Sequence, residues 1–420
     1  MSGKKHKIAI IGAGVAGNVA AYYLNKENDI KIFESNNYIG GHVNTIDVSD
    51  EDGDLAIDTG FIVFNDKTYP NFISLMNDID QPHQDSVMSF SVTNKLKKIE
   101  YNGSSLNGLF TQRSNIFSFS FLKMIKDILR FNKNKHNQTQ LNQSLSVGDF
   151  LKENVYSVQF SENYLLPMAA SIWSAEQKEI LDMPINFLLN FFNNHGLLQI
   201  KNRPQWMVIP GGSREYIKKL SSGYKDKIIL NAKIDSVTRH KDFVTVKEKN
   251  KASEDFDYVF IATHSDQALS MINDPSDCEH DVLSAIKYQN NEAILHTDIS
   301  QMPSNKRAWA AWNYRINDTE NKRVNVTYSM NILQNLNSKT QYFVTLNNNE
   351  NIEPKSIISK FNYSHPIFNN ETIKAQARHK EINFSPRTFY CGAYWRNGFH
   401  EDGVVSAKNA LTHFKEQLLR

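Results

Sequence analysis

The chain has 420 residues, of which 47 are Lys or Arg and 45 are Asp or Glu, giving a formal net charge of +2. A chain of this length buries a large core and is expected to form two domains, while its balanced charge argues against a nucleic-acid partner. The two cysteines, Cys278 and Cys391, lie far apart, so the sequence predicts neither a disulfide framework nor a metal site and fits a reducing cytoplasm.

Residues 7–34 carry the pattern of a strand, a glycine-rich turn, a helix and a second strand. Glycines at this spacing serve a dinucleotide, because they allow a tight turn, the approach of a pyrophosphate and close helix packing. Glu34 ends the second strand, where a carboxylate accepts both ribose hydroxyls. A purely structural turn is the alternative, but strand, helix and acid together favour a nucleotide site. The predicted contacts are Gly12, Ala13, Gly14, Val15, Ala16, Gly17, Glu34 and Ser35.

A second glycine pair, Gly40 and Gly41, directly follows this acidic strand end. In this segment the chain resembles FAD enzymes of the amine oxidase and phytoene desaturase superfamily. The resemblance implies an α/β fold with an α+β cap: a Rossmann-like FAD-binding domain of the glutathione reductase and amine oxidase type, with an inserted, largely helical substrate domain. It places the FAD-binding domain in residues 1–80, 206–280 and 386–420, and the substrate domain in 81–205 and 281–385.

The same resemblance implies further FAD contacts where the chain returns to the nucleotide domain. His42 stands where relatives often have Arg, and Ala393 stands where they usually have an acid. Glu401 or Asp402 is therefore expected to serve the ribityl-pyrophosphate portion. A C-terminal helix is predicted from about Gly403, with its N-terminus towards the flavin. The further contacts are Gly40, Gly41, His42, Thr59, Gly60, Phe61, Ile234, Ala262, Thr263, Gly392, Glu401, Asp402, Gly403 and Val404.

Residues 117–135 have the spacing of a basic amphipathic helix. One interpretation is a surface helix that packs on the core; the other is peripheral membrane contact, which a lipid substrate would favour. No run of about 18 apolar residues occurs, which excludes a membrane-spanning helix. The apolar side is predicted to contain Phe121, Leu122, Ile125, Ile128, Leu129 and Phe131.

Aromatic side chains are predicted to line the flavin and the substrate pocket. In the enzymes that this chain resembles, aromatic rings stand beside the flavin, and Phe399 matches one such position. Tyr394, Trp395 and His400 are neighbouring catalytic candidates, but no catalytic base is identified. The substrate candidates suit an apolar chain better than a cationic amine, although packing of the substrate-domain core would use the same residues. They are Trp173, His195, Trp309, Trp312, Asn313 and Tyr314.

The segments 294–298 (ILHTD), 302–303 (MP) and 308–314 (AWAAWNY) resemble one bacterial subgroup of this superfamily. Its members are often associated with methyltransferases of the cyclopropane-fatty-acid-synthase type and include desaturases of methyl-branched fatty acyl chains. The implied function is FAD-dependent hydride transfer from a C–H bond of an apolar, lipid-like substrate to flavin N5, in the cytoplasm or at the inner membrane face, with a methyltransferase as partner. The alternatives are a fatty acid double-bond isomerase, a non-catalytic lipid-binding protein and an amine oxidase.

Overall fold

The structure is a computed structural model that describes residues 5–133, 145–199, 201–317, 324–348, 351–383 and 387–419. The strands are β1 (Lys7–Ile11), β2 (Asp29–Phe33), β3 (Thr45–Asp50), β4 (Gly53–Asp58), β5 (Phe64–Asn65), β6 (Gln84–Ser86), β7 (Phe90–Asn94), β8 (Ile99–Asn102), β9 (Trp206–Val208), β10 (Ile228–Ile229), β11 (Ile234–Arg239), β12 (Val244–Glu248), β13 (Ser253–Phe256), β14 (Tyr258–Ile261), β15 (Tyr288–His296), β16 (Trp312–Ile316), β17 (Val326–Ser329), β18 (Phe343–Leu346), β19 (Ile357–Pro366) and β20 (Thr388–Tyr390).

The helices are α1 (Val15–Leu24), α2 (Pro70–Asp78), α3 (Leu106–Leu109), α4 (Phe119–Asn132), α5 (Val147–Glu153), α6 (Val158–Phe160), α7 (Leu166–Trp173), α8 (Gln177–Asp182), α9 (Ile185–Asn194), α10 (Arg214–Ser221), α11 (Ser265–Met271), α12 (Asp277–Ser284), α13 (Met330–Leu333), α14 (Asn370–Ala377), α15 (His379–Ile382) and α16 (His400–Leu418). None of the helices in the described residues combines the length and the hydropathy needed to cross a bilayer.

The nucleotide end of the molecule is built on a parallel sheet with the strand order β10-β2-β1-β14-β20. Side chains of β1 alternate between its two faces. Ile8 and Ile10 pack with α1, α2, α10 and α16, whereas Ala9 and Ile11 pack with the antiparallel strands β11 to β13 and with α11 and α12. The βαβ unit predicted for residues 7–34 is therefore confirmed, and its glycine turn lies at the carboxyl ends of the strands.

The substrate side holds a seven-stranded sheet with the order β19-β15-β18-β17-β16-β7-β8. The segment 81–205 is largely helical as predicted, but the segment 281–385 supplies five of these seven strands. The α+β character predicted for this domain is thus confirmed, and "largely helical" describes only its first segment. Strands of the two large sheets come from the segments predicted for the two domains, whose exact boundaries stay a prediction.

Two helices differ from their predictions. The C-terminal helix begins at His400, three residues before the predicted Gly403. Helix α4 turns Phe121 and Phe131, two members of the predicted membrane face, into the protein core, where each is nearly inaccessible. The predicted face is therefore divided: Phe121 and Phe131 pack on the core, whereas Leu122 and Leu129 are exposed. Residues 134 and 135 of the predicted span lie outside the described residues.

Candidate active site

The glycine turn between β1 and α1 is shaped by two crowded positions and one open position. Gly12 has a φ of +99°, and a Cβ there would lie 2.8 Å from the Ala262 carbonyl oxygen. A Cβ at Gly17 would overlap the Gly12 carbonyl oxygen, so close helix packing requires glycine. At Gly14, by contrast, a Cβ would meet no heavy atom within 4 Å. Gly14 thus faces an open cradle at the N-terminus of α1, which fits a pyrophosphate.

Glu34 is fixed beside this cradle. One carboxylate oxygen accepts the Ala13 N–H at 2.8 Å and the other accepts the Asn36 N–H at 2.9 Å, in a buried position. The hydroxyl of the exposed Ser35 donates to the Glu34 carboxylate at 3.4 Å. The main chain just before Ile234 is held alongside, because the Ala232 N–H donates to the Glu34 carbonyl at 2.8 Å. Ile234 itself buries its side chain, so only its backbone is suited to a cofactor contact.

The second glycine pair borders the same cradle. The Gly40 N–H donates to the Ala13 carbonyl at 2.8 Å, and Gly40 and Gly41 both have positive φ values, +119° and +61°. A Cβ at Gly41 would lie 3.2 Å from the Gly14 Cα. Close approach of the two loops therefore depends on glycine.

His42 and the segment after β4 form the next wall. The Phe61 N–H donates to the His42 carbonyl at 2.7 Å, and a Cβ at Gly60 would overlap that oxygen. The Thr59 hydroxyl donates to the Asn44 carbonyl at 2.9 Å. The His42 Nε2 atom is buried and has no hydrogen-bond partner among the described residues. Burial and neighbouring histidines hold the His42 pKa well below its usual value, so the ring is neutral.

The N-terminus of α16 meets the N-terminus of α1. A Cβ at Gly403 would lie 2.5 Å from Val15 Cγ1, and the same position is 3.8 Å from the Ala16 amide nitrogen. Val404, the next residue, is completely buried. Two positive helix ends therefore converge, which together with the open side of Gly14 and the unpartnered His42 nitrogen fits a flavin dinucleotide.

The two acids at the start of α16 are engaged by the protein. The Glu401 carboxylate accepts the backbone N–H groups of Asn71 and Phe72, at 3.0 and 2.8 Å, and thereby caps α2. The Asp402 carboxylate accepts the N–H groups of Phe399 and Asn397, at 2.9 and 3.2 Å, and burial raises its pKa to about 6. The Gly392 N–H donates to the Ser406 hydroxyl at 2.9 Å. In this structure Glu401 and Asp402 therefore order helices, and their expected cofactor contact stays a prediction.

The four catalytic candidates fall into two separate places. Tyr394 and Trp395 belong to the core behind the parallel sheet, where Trp395 stacks on His379 with ring centroids 4.1 Å apart. His400 lies on the cradle side, stacks flat on Phe61 at 3.7 Å and hydrogen-bonds the Tyr216 hydroxyl. Burial lowers the His400 pKa to about 3, so its ring is neutral. Among the four, only Phe399 and His400 adjoin the proposed flavin region.

Phe399 joins an aromatic cluster of the substrate domain. Its ring is 5.0 Å from Phe191 and 6.0 Å from His195, and Phe191 is 4.8 Å from Trp173. The Trp173 Nε1 atom donates to the Asn397 carbonyl at 3.3 Å, which ties α7 to the start of α16. This aromatic cluster comprises Trp173, Phe187, Phe191, His195, Phe368 and Phe399.

The other substrate candidates lie on β16 and just before it. The side-chain amide of Asn313 is hydrogen-bonded within the protein, since it donates to the Ala310 and Thr327 carbonyls at 2.7 and 3.0 Å. The Trp309 Nε1 atom donates to the Pro303 carbonyl at 2.9 Å. Trp312 packs edge-on against Tyr328 at 5.1 Å, while Tyr314 is buried. Helix α7, which carries Trp173 of the cluster, packs on β16, and the hydrogen bonds of Asn313 give it a structural role.

Several residues near the cradle were missed by the sequence reasoning. Tyr363 stacks on His42 at 4.9 Å and its hydroxyl accepts from the Asn44 amide at 3.0 Å; His365 lies 5.5 Å from His42. Alternation along β19 places Tyr363 and His365 on one face, which is the signal that could have found them. In the described part of the chain, no group of three or more His, Cys, Asp or Glu side chains is arranged to hold a metal ion.

Comparison with known proteins agrees with this geometry. The family model described as flavin-containing amine oxidoreductase matches residues 15–295. No curated protein matches the chain significantly. Among solved structures, the chain resembles cyclohexylamine oxidase from Brevibacterium oxydans IH-35A, with a TM-score of 0.69, 13% identity and coverage of 99% of this chain and 100% of that one.

Two further structures share the fold. The CLA-producing fatty acid isomerase from P. acnes has a TM-score of 0.67 at 14% identity, covering 97% of this chain and 98% of that one. Reduced UDP-galactopyranose mutase has a TM-score of 0.68 at 15% identity, covering 98% and 96%. At such identities the likeness shows the fold alone, and the three proteins are named for different substrates. The chain belongs to the flavin-containing amine oxidoreductase family and is an FAD-dependent oxidoreductase.

Proposed function

We propose that the protein oxidises a C–H bond of an apolar, lipid-like substrate, desaturating an acyl chain. The observation that carries this proposal is the aromatic cluster, in which Phe399 stacks on Phe191 of α9 and Phe191 packs against Trp173 of α7. Rings of this kind contact alkyl chains over a large area and exclude water. Bound FAD supplies the acceptor for the electrons of the C–H bond.

Electrostatics at this place favour a neutral substrate over a cationic amine. His195 is the one titratable member of the aromatic cluster, and burial lowers its pKa to about 4, so it is neutral near pH 7. Glu401 and Asp402, the acids at the start of α16, are already hydrogen-bonded by backbone N–H groups. An ammonium group placed beside Phe399 would therefore lose its hydration without gaining a free carboxylate.

His195 is also placed to take a proton. Its Nδ1 atom lies 3.0 Å from the Phe191 carbonyl oxygen, which can only accept, so Nδ1 carries the hydrogen and Nε2 keeps a lone pair. Desaturation removes a hydride equivalent from one carbon and a proton from its neighbour. We assign the proton to His195 Nε2, while Phe191 and Phe399 hold the chain.

The resemblance of residues 294–314 to a bacterial subgroup supports a narrower proposal. The substrate is then a methyl-branched acyl chain of a phospholipid, the partner is a methyltransferase of the cyclopropane-fatty-acid-synthase type, and the protein works in the cytoplasm at the inner membrane face. Co-migration of the two purified proteins in size-exclusion chromatography tests the partnership. Separate elution at concentrations well above those in the cell would remove it.

The reaction is tested by the visible spectrum of the FAD-loaded protein under anaerobic conditions. Adding a methyl-branched phospholipid should bleach the flavin band and yield a product two hydrogens lighter. A flavin that stays oxidised would refute desaturation. Product of unchanged mass would then indicate isomerisation, and hydrogen peroxide released from added amines in air would indicate an amine oxidase.

A further inference from the structure

Helix α4 leaves an unusual surface exposed opposite its buried face. Phe117 and Phe119 are 90% and 82% exposed, and Leu122 and Leu129 are also exposed. Residues 119, 122, 126 and 129 are spaced at three and four positions, so their side chains lie along one side of the helix. Single exposed apolar residues are ordinary, but a contiguous group at the start of one helix marks an interaction surface.

The segment after α5 extends this surface. The Arg130 guanidinium donates to the Val155 carbonyl at 3.3 Å and lies over the Tyr156 ring at 3.9 Å, which holds the segment against α4. Val155 and Val158 are both largely exposed, and Val155 has a φ of +51°, a strained conformation for a β-branched residue. The docking face is defined here as Phe117, Phe119, Leu122, Lys123, Lys126, Leu129, Arg130, Val155 and Val158.

Charge identifies what this docking face binds. Lys123 and Lys126 are exposed, and neither forms an ion pair with a carboxylate in the described part of the chain. The nearby acid Asp127 is buried, bonded to the Ser157 N–H at 3.0 Å and paired with Arg130 at 3.1 Å. The face therefore presents aromatic rings between free cations, the composition of a helix lying on anionic lipid.

We infer that the docking face binds an anionic phospholipid bilayer, with Phe117 and Phe119 entering the acyl boundary and Lys123 and Lys126 contacting headgroup phosphates. This differs from a membrane face made of Phe121 and Phe131, which pack on Tyr101 and Phe160 inside the protein.

The position of the docking face suits the proposed function. On the inner side of α4, Phe131 lies 6.4 Å from Phe192 of α9. The adjacent Phe191 on α9 belongs to the aromatic cluster and contacts Phe399 at 5.0 Å. Helix α9 thus contacts the docking helix through Phe192 and carries Phe191 of the cluster. An acyl chain as substrate rests on the proposed function, whereas docking rests on the surface alone, so the two can fail separately.

Vesicle sedimentation tests the docking without turnover. The FAD-loaded protein is mixed with vesicles of phosphatidylglycerol and phosphatidylcholine, or of phosphatidylcholine alone. Binding should need the anionic lipid and weaken as salt rises from about 0.05 to about 0.5 M. Phe117→Ser with Phe119→Ser should lower the partition coefficient about tenfold or more. Lys123→Glu with Lys126→Glu should lower it at least about fivefold for each lysine.

Matched variants on other surfaces serve as controls. Ile299→Ser with Ile358→Ser removes two exposed apolar residues, and Lys241→Glu with Lys249→Glu makes the same charge change on the β11 to β13 sheet. Both should bind like the wild type, and all variants should keep its melting temperature. Failure of the wild type to bind anionic vesicles, or equal losses in docking-face and control variants, would overturn the inference.

Discussion

A substitution at Gly14 should affect cofactor binding without affecting folding. Its φ of −70° and ψ of −173° suit any amino acid, and a side chain there meets no protein atom within 4 Å. Gly14→Val should therefore fold normally but weaken FAD binding by about 100-fold or more, because the side chain would occupy the pyrophosphate space. Flavin absorbance after gel filtration and titration with free FAD measure the loss.

Valine substitutions at two other glycines serve as controls for Gly14→Val. Gly223→Val also adds a side chain to open space, but at the surface, so it should keep both fold and flavin. Gly12→Val should fail to fold, because its backbone has positive φ and the Ala262 carbonyl blocks the Cβ. A folded Gly14→Val protein with a full complement of flavin would contradict the assignment of the cradle.

His195 tests the proton acceptor that the proposed reaction requires. The His195 ring stacks on Phe191 with centroids 3.8 Å apart. His195→Phe keeps an aromatic ring for this stacking but removes the Nε2 lone pair. The rate of flavin reduction at saturating substrate should fall about 100-fold, while KM changes little. His240→Phe is the control, because His240 also stacks on a phenylalanine, Phe243 at 4.3 Å, on an exposed strand end. An unchanged rate in His195→Phe would exclude His195 as the base.

Glu401, at the start of α16, has a structural role at the N-terminus of α2. Because its carboxylate accepts the first N–H groups of α2, Glu401→Ala should lower the free energy of unfolding by about 2 kcal/mol. Urea unfolding measures this loss. Glu401→Gln keeps one acceptor oxygen and should lose less. A Glu401→Ala protein of normal stability that no longer retains FAD would instead support the cofactor contact expected from the sequence.

The βαβ unit could be read from the sequence because its determinants are local. Glycine spacing, an apolar strand and Glu34 all fall within residues 7–34, and the structure forms β1, α1 and β2 there. The start of α16 could not be read as well. Gly403 looks like a helix start, yet it lies inside the helix, and it is glycine because a Cβ there would lie 2.5 Å from Val15 Cγ1. That contact joins residues far apart in the chain.

Long-range packing also explains the rest of the differences. Tyr394 and Trp395 are close to Phe399 in the sequence, but a short turn sends them to the opposite side of the parallel sheet. Strands β15 to β19 pair across long connections, so their aromatic sequence resembles a helical core as much as a sheet. Tyr363 reaches His42 only because β19 forms the edge of that sheet.

The whole molecule should lose stability in mild acid, because it buries histidines in their neutral form. Burial lowers the pKa of each from the ordinary 6.5, to about 4 for four of them and about 3 for the fifth. A lowered histidine pKa gives stability that is complete above pH 6.5 and is lost as the pH falls towards the folded-state value. These residues are His195, His296, His379 and His400, which are buried, and His365, which is partly buried.

Two buried acids act in the opposite direction. Burial raises the pKa of Asp58 and Asp402 from 3.8 to about 6, so each favours the folded state below pH 3.8 and loses that contribution as the pH rises through 6. Five histidines outweigh two acids. We therefore expect the free energy of unfolding, measured with urea, to fall steadily between pH 6.5 and pH 5, by about 1.4 kcal/mol per pH unit for each uncompensated proton.

His379 tests whether buried histidines cause the acid sensitivity. It lies behind the parallel sheet, away from the cradle, with its Nε2 atom 2.8 Å from the Tyr390 carbonyl. His379→Gln keeps a donor for this carbonyl and removes one titrating group, so the slope of unfolding free energy against pH should decrease by the value of one proton. A stability that stays constant or rises between pH 6.5 and pH 5 would show that the histidines are protonated within the folded protein. A flatter slope in His379→Gln with unchanged flavin content would locate the acid sensitivity in the buried imidazoles.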